Sequence, residues 1–216
     1  MEGGGTQELF KLGDIGDYHD VGDATAIASA TITSINVVAA LTRTGVLGGF
    51  SLNAYFDTFG LEGILANTSL IVIIFQLARW VYTTFYASGG RPWSPFVFVC
   101  ILIAVQALHD LFFYYGVIKY IPSGNNEMID ALKKYSTENG SRALAGHSVF
   151  LIFVAAIAMI LKEYSLLVSV SLVTITLYML PYVIATFGPR PPPPPPPPPA
   201  EKKGGPDTLR WNGSRM

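Results

Sequence analysis

Gln106, His109, Asp110 and Phe113 stand at i, i+3, i+4 and i+7 in an apolar stretch, so on a helix they share one face. An ionisable residue inside such a stretch is costly and normally turns towards a partner in a bundle interior. His147 enters a later apolar stretch from the same side, and Gln76 or Arg79 are on offer from an earlier one. Two kinds of chemistry fit this set. One is a proton or ion pathway, or an intramembrane metal site. The other is an interhelical hydrogen-bond cluster that fixes packing, each bond worth about 0.6–2 kcal/mol. Two histidines and one aspartate spread over two helices lack a metal-ligand spacing such as His-Glu-x-x-His, which favours the packing cluster.

No other arrangement suggests a reaction. There is no Gly-rich phosphate loop, no Gly-x-Ser-x-Gly elbow and no Glu-x-x-His pair. The expectation is a chain that is not an enzyme and carries no metal or cofactor. Cys100 stands alone in an apolar run and reads as a small buried residue. Arg79, beside Trp80 near the end of a stretch, reads as a side chain snorkelling to an interface. Lys133-Lys134 falls short of the roughly four to eight basic residues of a lipid-binding cluster and reads as a solvated face.

The elements that position these residues are long and apolar. Half of the 216 residues are hydrophobic and 13% are charged, against about 25% charged in an ordinary soluble domain. The charges concentrate in the first stretch, around 119–142 and after 189. A net charge of −1 supplies no basic footprint for nucleic acid. The expected fold is all-α, a polytopic transmembrane bundle. Spans are expected at 61–87, 93–120, 143–161 and 165–187, with Ser94 and Pro95 opening the second of them. Residues 24–41 are apolar but rich in Thr, Ser and Asn. They are left open between a fifth span and a helix at the interface or packed on the bundle.

Four regions follow from this pattern. Residues 1–23 form a Gly-rich acidic arm, extended or loosely ordered. The arm lacks the basic start and apolar core of a cleaved signal peptide, so insertion is expected through the spans themselves. Residues 24–60 hold the weak apolar segment and a Gly- and aromatic-rich connection. Residues 61–187 form the bundle, in which 143–161 and 165–187 should pair as a tight hairpin through Ala155, Ala156, Ala158, Ser165, Ser169 and Ser171. Within it the polar loop 121–142 carries a short amphipathic helix, whose Met128, Leu132, Lys133, Lys134 and Tyr135 are expected to contact the membrane surface or a partner. Residues 188–216 form a tail. Its nine prolines, Pro191 through Pro195 to Pro199, must adopt polyproline II, a rod of about 28 Å at ~3.1 Å per residue, ahead of Trp211. The rod is either a spacer or strut, or a ligand for an aromatic-lined groove.

With four spans, Arg43, Lys119, Lys133, Lys134, Arg142 and the basic residues of the tail lie on one side, and only Arg91 and Lys162 on the other. The positive-inside rule places the first side in the cytosol. A fifth span at 24–41 would move only the acidic arm across.

One segment resembles a known family. Gln106-Ala107-Leu108-His109-Asp110-Leu111-Phe112-Phe113-Tyr114, then Ile121-Pro122-Ser123-Gly124-Asn125-Asn126-Glu127-Met128-Ile129-Asp130, then Lys133-Lys134-Tyr135 with Glu138 and Gly140, is similar to small multi-span membrane proteins of nucleocytoplasmic large DNA viruses. The likeness covers about 105–160. It implies a place rather than a reaction, namely the virion's internal membrane, derived from host endoplasmic reticulum, beneath an icosahedral capsid. The implied partners are the lipid bilayer and capsid proteins or other viral membrane proteins, with no nucleic acid and no small-molecule substrate. The expected function is a minor capsid or structural protein that ties membrane to shell through its polar loop and proline-rich tail. The rival is a small ion or proton channel or transporter using His109, Asp110 and His147.

Overall fold

A computed structural model describes residues 12–47 and 50–186. The proline run, Trp211 and the first part of the acidic arm lie outside the described residues. Among the described residues the regular structure is entirely helical. The helices are α1 (Gly22–Arg43), α2 (Phe50–Val81), α3 (Pro95–Gly116), α4 (Glu127–Asn139), α5 (Ser141–Lys162) and α6 (Leu166–Ala185). Five helical segments are long and apolar enough to cross a membrane: Gly22–Arg43, Ser51–Gly89, Pro95–Tyr120, Arg142–Lys162 and Leu166–Ala185. The alternative left open at 24–41 is thereby resolved in favour of a helix of spanning length that is also packed inside the bundle.

That helix, α1, is the centre of the molecule. It packs against α2, α5 and α6, and half of its apolar window is buried, against 17% for α3 and for α6. Its small side chains explain the position, because Ala26, Ala30, Ser34 and Ala39 are buried and let neighbouring backbones come close. The hydroxyls that weakened it as a span find local acceptors. Ser29, Thr31 and Thr42 donate to the carbonyls of Thr25, Ile27 and Val38, four residues back. Asn36 donates to the Thr176 carbonyl at 2.9 Å, and Thr33 meets the Thr176 hydroxyl at 3.2 Å, tying α1 to α6.

The tight hairpin expected between the last two spans does not form. α5 and α6 are antiparallel neighbours in sequence, yet each packs chiefly on α1. Of the six small residues expected between them, Ala155, Ala158 and Ser169 are buried, while Ala156, Ser165 and Ser171 are exposed. A third, small-residue helix offered both a closer approach than either offered the other.

Two connections also differ from expectation. Residues 50–59, read as part of a connection, form the first limb of α2, which bends at Gly60 where φ is +45°. Apolar residues at 52, 55, 56 and 59 give that limb a helical face, on which the Tyr55 ring packs with Phe56 and Phe59. Residues 12–21 are an ordered non-helical strap. It is laid across the end of the bundle that also carries 82–94 and the turn at 163–165. Three aspartates shape it, since Asp14, Asp17 and Asp20 each accept from the backbone N–H two residues on. Ile15 is fully buried, and Gly13 donates to the Met159 carbonyl at 3.0 Å. A Cβ on Gly16 would lie 2.6 Å from the Trp93 ring, so only glycine allows the approach.

The expected start of α3 is present, and α4 has clear ends. Ser94 caps α3 by accepting from Val97 N–H, with Pro95 in the first turn. Asn126 caps α4 by accepting from Ile129 N–H at 3.0 Å, and Gly140 ends it with φ +52°. The chain therefore has an arm end, with 12–21, 82–94 and 163–165, and a loop end, with 44–60 and 117–140. The close approach of Ile184 to Gly60 puts the last turn of α6 at the loop end too.

Candidate functional site

The structure gathers the sequence-derived residues at the loop end. Asp110 of α3 is the hub. Its Oδ1 accepts from Gln106 Nε2 at 2.6 Å and lies 3.3 Å from His109 Nδ1. Its Oδ2 lies 3.1 Å from His147 Nδ1 of α5. An ionised carboxylate only accepts, so both imidazoles are assigned with Nδ1–H as donor. Aromatic rings hold the imidazoles in place: His109 stacks on Phe113 with centroids 5.7 Å apart, and His147 stacks on Tyr135 of α4 at 6.3 Å. One carboxylate thus couples α3 to α5, and one imidazole couples α5 to α4.

Gln76 and Arg79 do not join this cluster. They lie near the arm end of α2, where Gln76 Oε1 accepts from Arg79 Nη1 at 2.9 Å. Among the described residues no group of three or more His, Cys, Asp or Glu is arranged to hold a metal ion. The reach of the cluster is also modest. The Asp110 side chain is 27% exposed and that of His147 is 47% exposed.

α4 docks on the bundle with much of the face the sequence offered to a partner. Met128 packs against the core, Tyr135 covers His147, and Lys133 Nζ donates to the Ile121 carbonyl. Ser51 donates to Glu138 and ties α4 to the first limb of α2. Leu132 is half-buried, and Lys134 alone of the five is exposed. Burial raises the Tyr135 hydroxyl above its ordinary pKa, with the nearby Glu138 charge adding to the shift.

A second charge cluster, at the arm end, was not foreseen. Arg79 is buried, not snorkelling. Its Nη2 donates to the carbonyls of Asp17 and Asp20, the latter at 2.6 Å, and reaches Asp23 Oδ2 at 3.3 Å. Lys162, the last residue of α5, reaches Asp20 Oδ2 at 2.7 Å and also pairs with Asp23. The Asp23 side chain has no exposed surface, and that of Arg79 is 2% exposed. A carboxylate buried so deeply survives only because two cations face it. Thr83 completes the attachment by donating to the Gly16 carbonyl and accepting from Tyr18 N–H, both at 2.9 Å. Thr83 lies in a π-helical turn, Tyr82–Tyr86, and such turns re-aim side chains. The Lys162 ammonium, and after it the Gly22 N–H, hold the Asp20 carboxyl below the usual carboxylate range.

At the other end of α1, Arg43 pairs with Asp57, donates to Asn53 Oδ1 at 3.0 Å and lies over the Phe56 ring. Asp23 and Arg43 are twenty residues apart on one helix, hence about 30 Å, the thickness of a hydrocarbon layer. α1 is pinned by ions at both ends.

The chain matches no family model, no curated protein and no solved structure.

Proposed function

We propose that this chain is a structural membrane protein of a large DNA virus that anchors the internal lipid membrane to the capsid shell. The observation that carries the anchor reading is that the charged groups set into the bundle are engaged with one another or with polar side chains of neighbouring helices. Asp23 takes Arg79 and Lys162, Arg43 takes Asp57, and Asp110 takes two histidines and a glutamine. Polar groups satisfied in this way hold helices in place, as an anchor requires. Arg43, Lys119, Lys133, Lys134 and Arg142 gather at the loop end, which by the positive-inside rule would face the cytosol and, in a virion, the shell. The viral setting rests on the resemblance over 105–160. In this reading the membrane is the virion's internal one, derived from host endoplasmic reticulum, and the loop 121–142 with the tail 188–216 meets capsid proteins.

Cross-linking mass spectrometry on purified particles tests it. Links from Lys119, Lys134 or the tail lysines to capsid proteins are expected. A chain missing from the particles, or one whose loop and tail link to nothing but itself, would remove the proposal.

The partial exposure of Asp110, His109 and His147 favours one rival, a small proton or ion channel. That reading requires a pH-dependent flux in liposomes that Asp110→Asn abolishes. The anchor reading requires no flux from either protein.

A further inference from the structure

On the outer face of α2, Val72, Ile73, Gln76, Leu77 and Trp80 line an open groove of about 480 Å³, and Tyr18 of the strap overhangs it. The volume lies within the roughly 300–1,000 Å³ of small-ligand sites. The overhang is built in, because Tyr18 N–H is held by Thr83 Oγ1. The groove is apolar but for two groups whose placement is chemically determined. Gln76 Oε1 accepts from Arg79 Nη1. A guanidinium only donates, so the amide cannot be turned round and Nε2 is the end left over. Neither Gln76 Nε2 nor Tyr18 Oη has a hydrogen-bond partner among the described residues.

A donor left without an acceptor at that depth is costly, since lipid supplies no water. Trp80, 48% exposed, marks the interfacial band of the helix, and Gln76 lies one turn, about 6 Å, further in. The acceptors a bilayer offers just inside that band are the ester carbonyls of its lipids. We propose that the groove binds one glycerophospholipid, an ester carbonyl accepting from Gln76 Nε2 and Tyr18 Oη and an acyl chain lying along Val72, Ile73 and Leu77. This site requires only a chain in contact with lipid, and is independent of whether the protein is a viral anchor or a channel.

The test uses the full chain in detergent micelles. These carry equal amounts of ester-linked and ether-linked phosphatidylcholine with matched chains, and retained lipid is counted by native mass spectrometry. One retained lipid per chain is expected, with the ester form favoured roughly three- to tenfold, as one net hydrogen bond would give. Ile73→Trp fills the groove from a 55% exposed position and should abolish retention. Tyr18→Phe removes one donor and nothing else, and should narrow the ester preference while an acyl chain still binds. Equal retention of ester and ether lipid by the unaltered chain, or none of either, overturns the proposal. So does retention unchanged in Ile73→Trp.

Discussion

The two charge clusters of the bundle differ in almost every physical respect. At the loop end, Asp110 sits between α3 and α5 with about a quarter of its side chain open and takes neutral or weakly basic donors. At the arm end, Asp23 has no exposed surface and takes a guanidinium and an ammonium at once. The first ties neighbouring helices along one flank. The second fastens the central helix, α5, α2 and the strap at a single point. Spacing within one helix advertises the first kind, whereas only the packing of three separate segments produces the second. The lesson is that the more conspicuous cluster in a membrane sequence need not be the one on which the fold depends.

Mutation of the hubs should separate them. Asp23→Ala leaves the buried Arg79 guanidinium without its carboxylate, and loss of one partner from a buried pair costs about 3–5 kcal/mol. Unfolding by titration with a denaturing detergent, followed by circular dichroism, should show that loss. A cost no greater than that of Asp110→Asn would break the contrast. Gly16→Val should come next. Its side chain runs into Trp93 and Tyr82, an overpacking worth about 1–3 kcal/mol. Its signature should be selective, with hydrogen exchange in 12–21 rising while α3 and α6 stay protected. Asp110→Asn keeps the shape and some of the hydrogen bonds, so about 0.6–2 kcal/mol is expected by the same detergent titration. The smallest effect concerns acid. The folded-state pKa of Asp20 lies below its ordinary value, so its pairing with Lys162 contributes above the ordinary carboxylate range. That contribution fades as pH falls through the lowered value. Asp20→Asn should flatten the acid limb of stability against pH, and an unaltered limb would show the pair to be idle.

Much of this fold was legible because lipid imposes simple rules. The spans beginning near Leu61 and Trp93, the Ser94-Pro95 start and the alignment of Gln106, His109 and Asp110 all follow from local pattern. The centrality of 24–41 did not. The feature that weakened it as a span, its Thr, Ser and Asn content, is what suits it to the interior. The Asp23 cluster stayed hidden because its partners are 56 and 139 residues away and no periodicity links them. One signal was available. Arg79, Lys162 and Asp23 are charges at those ends of three spans that an alternating up-and-down path brings to one side. Trp80 beside Arg79 suggested an interface and drew attention away from it. The sequence also favoured pairing of α5 with α6, because chain neighbours usually pack together, and here a helix made much earlier lies between them.

That last arrangement sets a timetable for synthesis. α1 ends at Arg43, but two of the helices that enclose it are complete only when the ribosome has passed Lys162 and Ala185. At roughly 5–20 residues per second, the 142 residues from 43 to 185 take about 7 to 28 s. For that interval the nascent chain holds a hydroxyl-lined helix with no finished cavity to receive it. The keystone of the bundle is cut first and seated last.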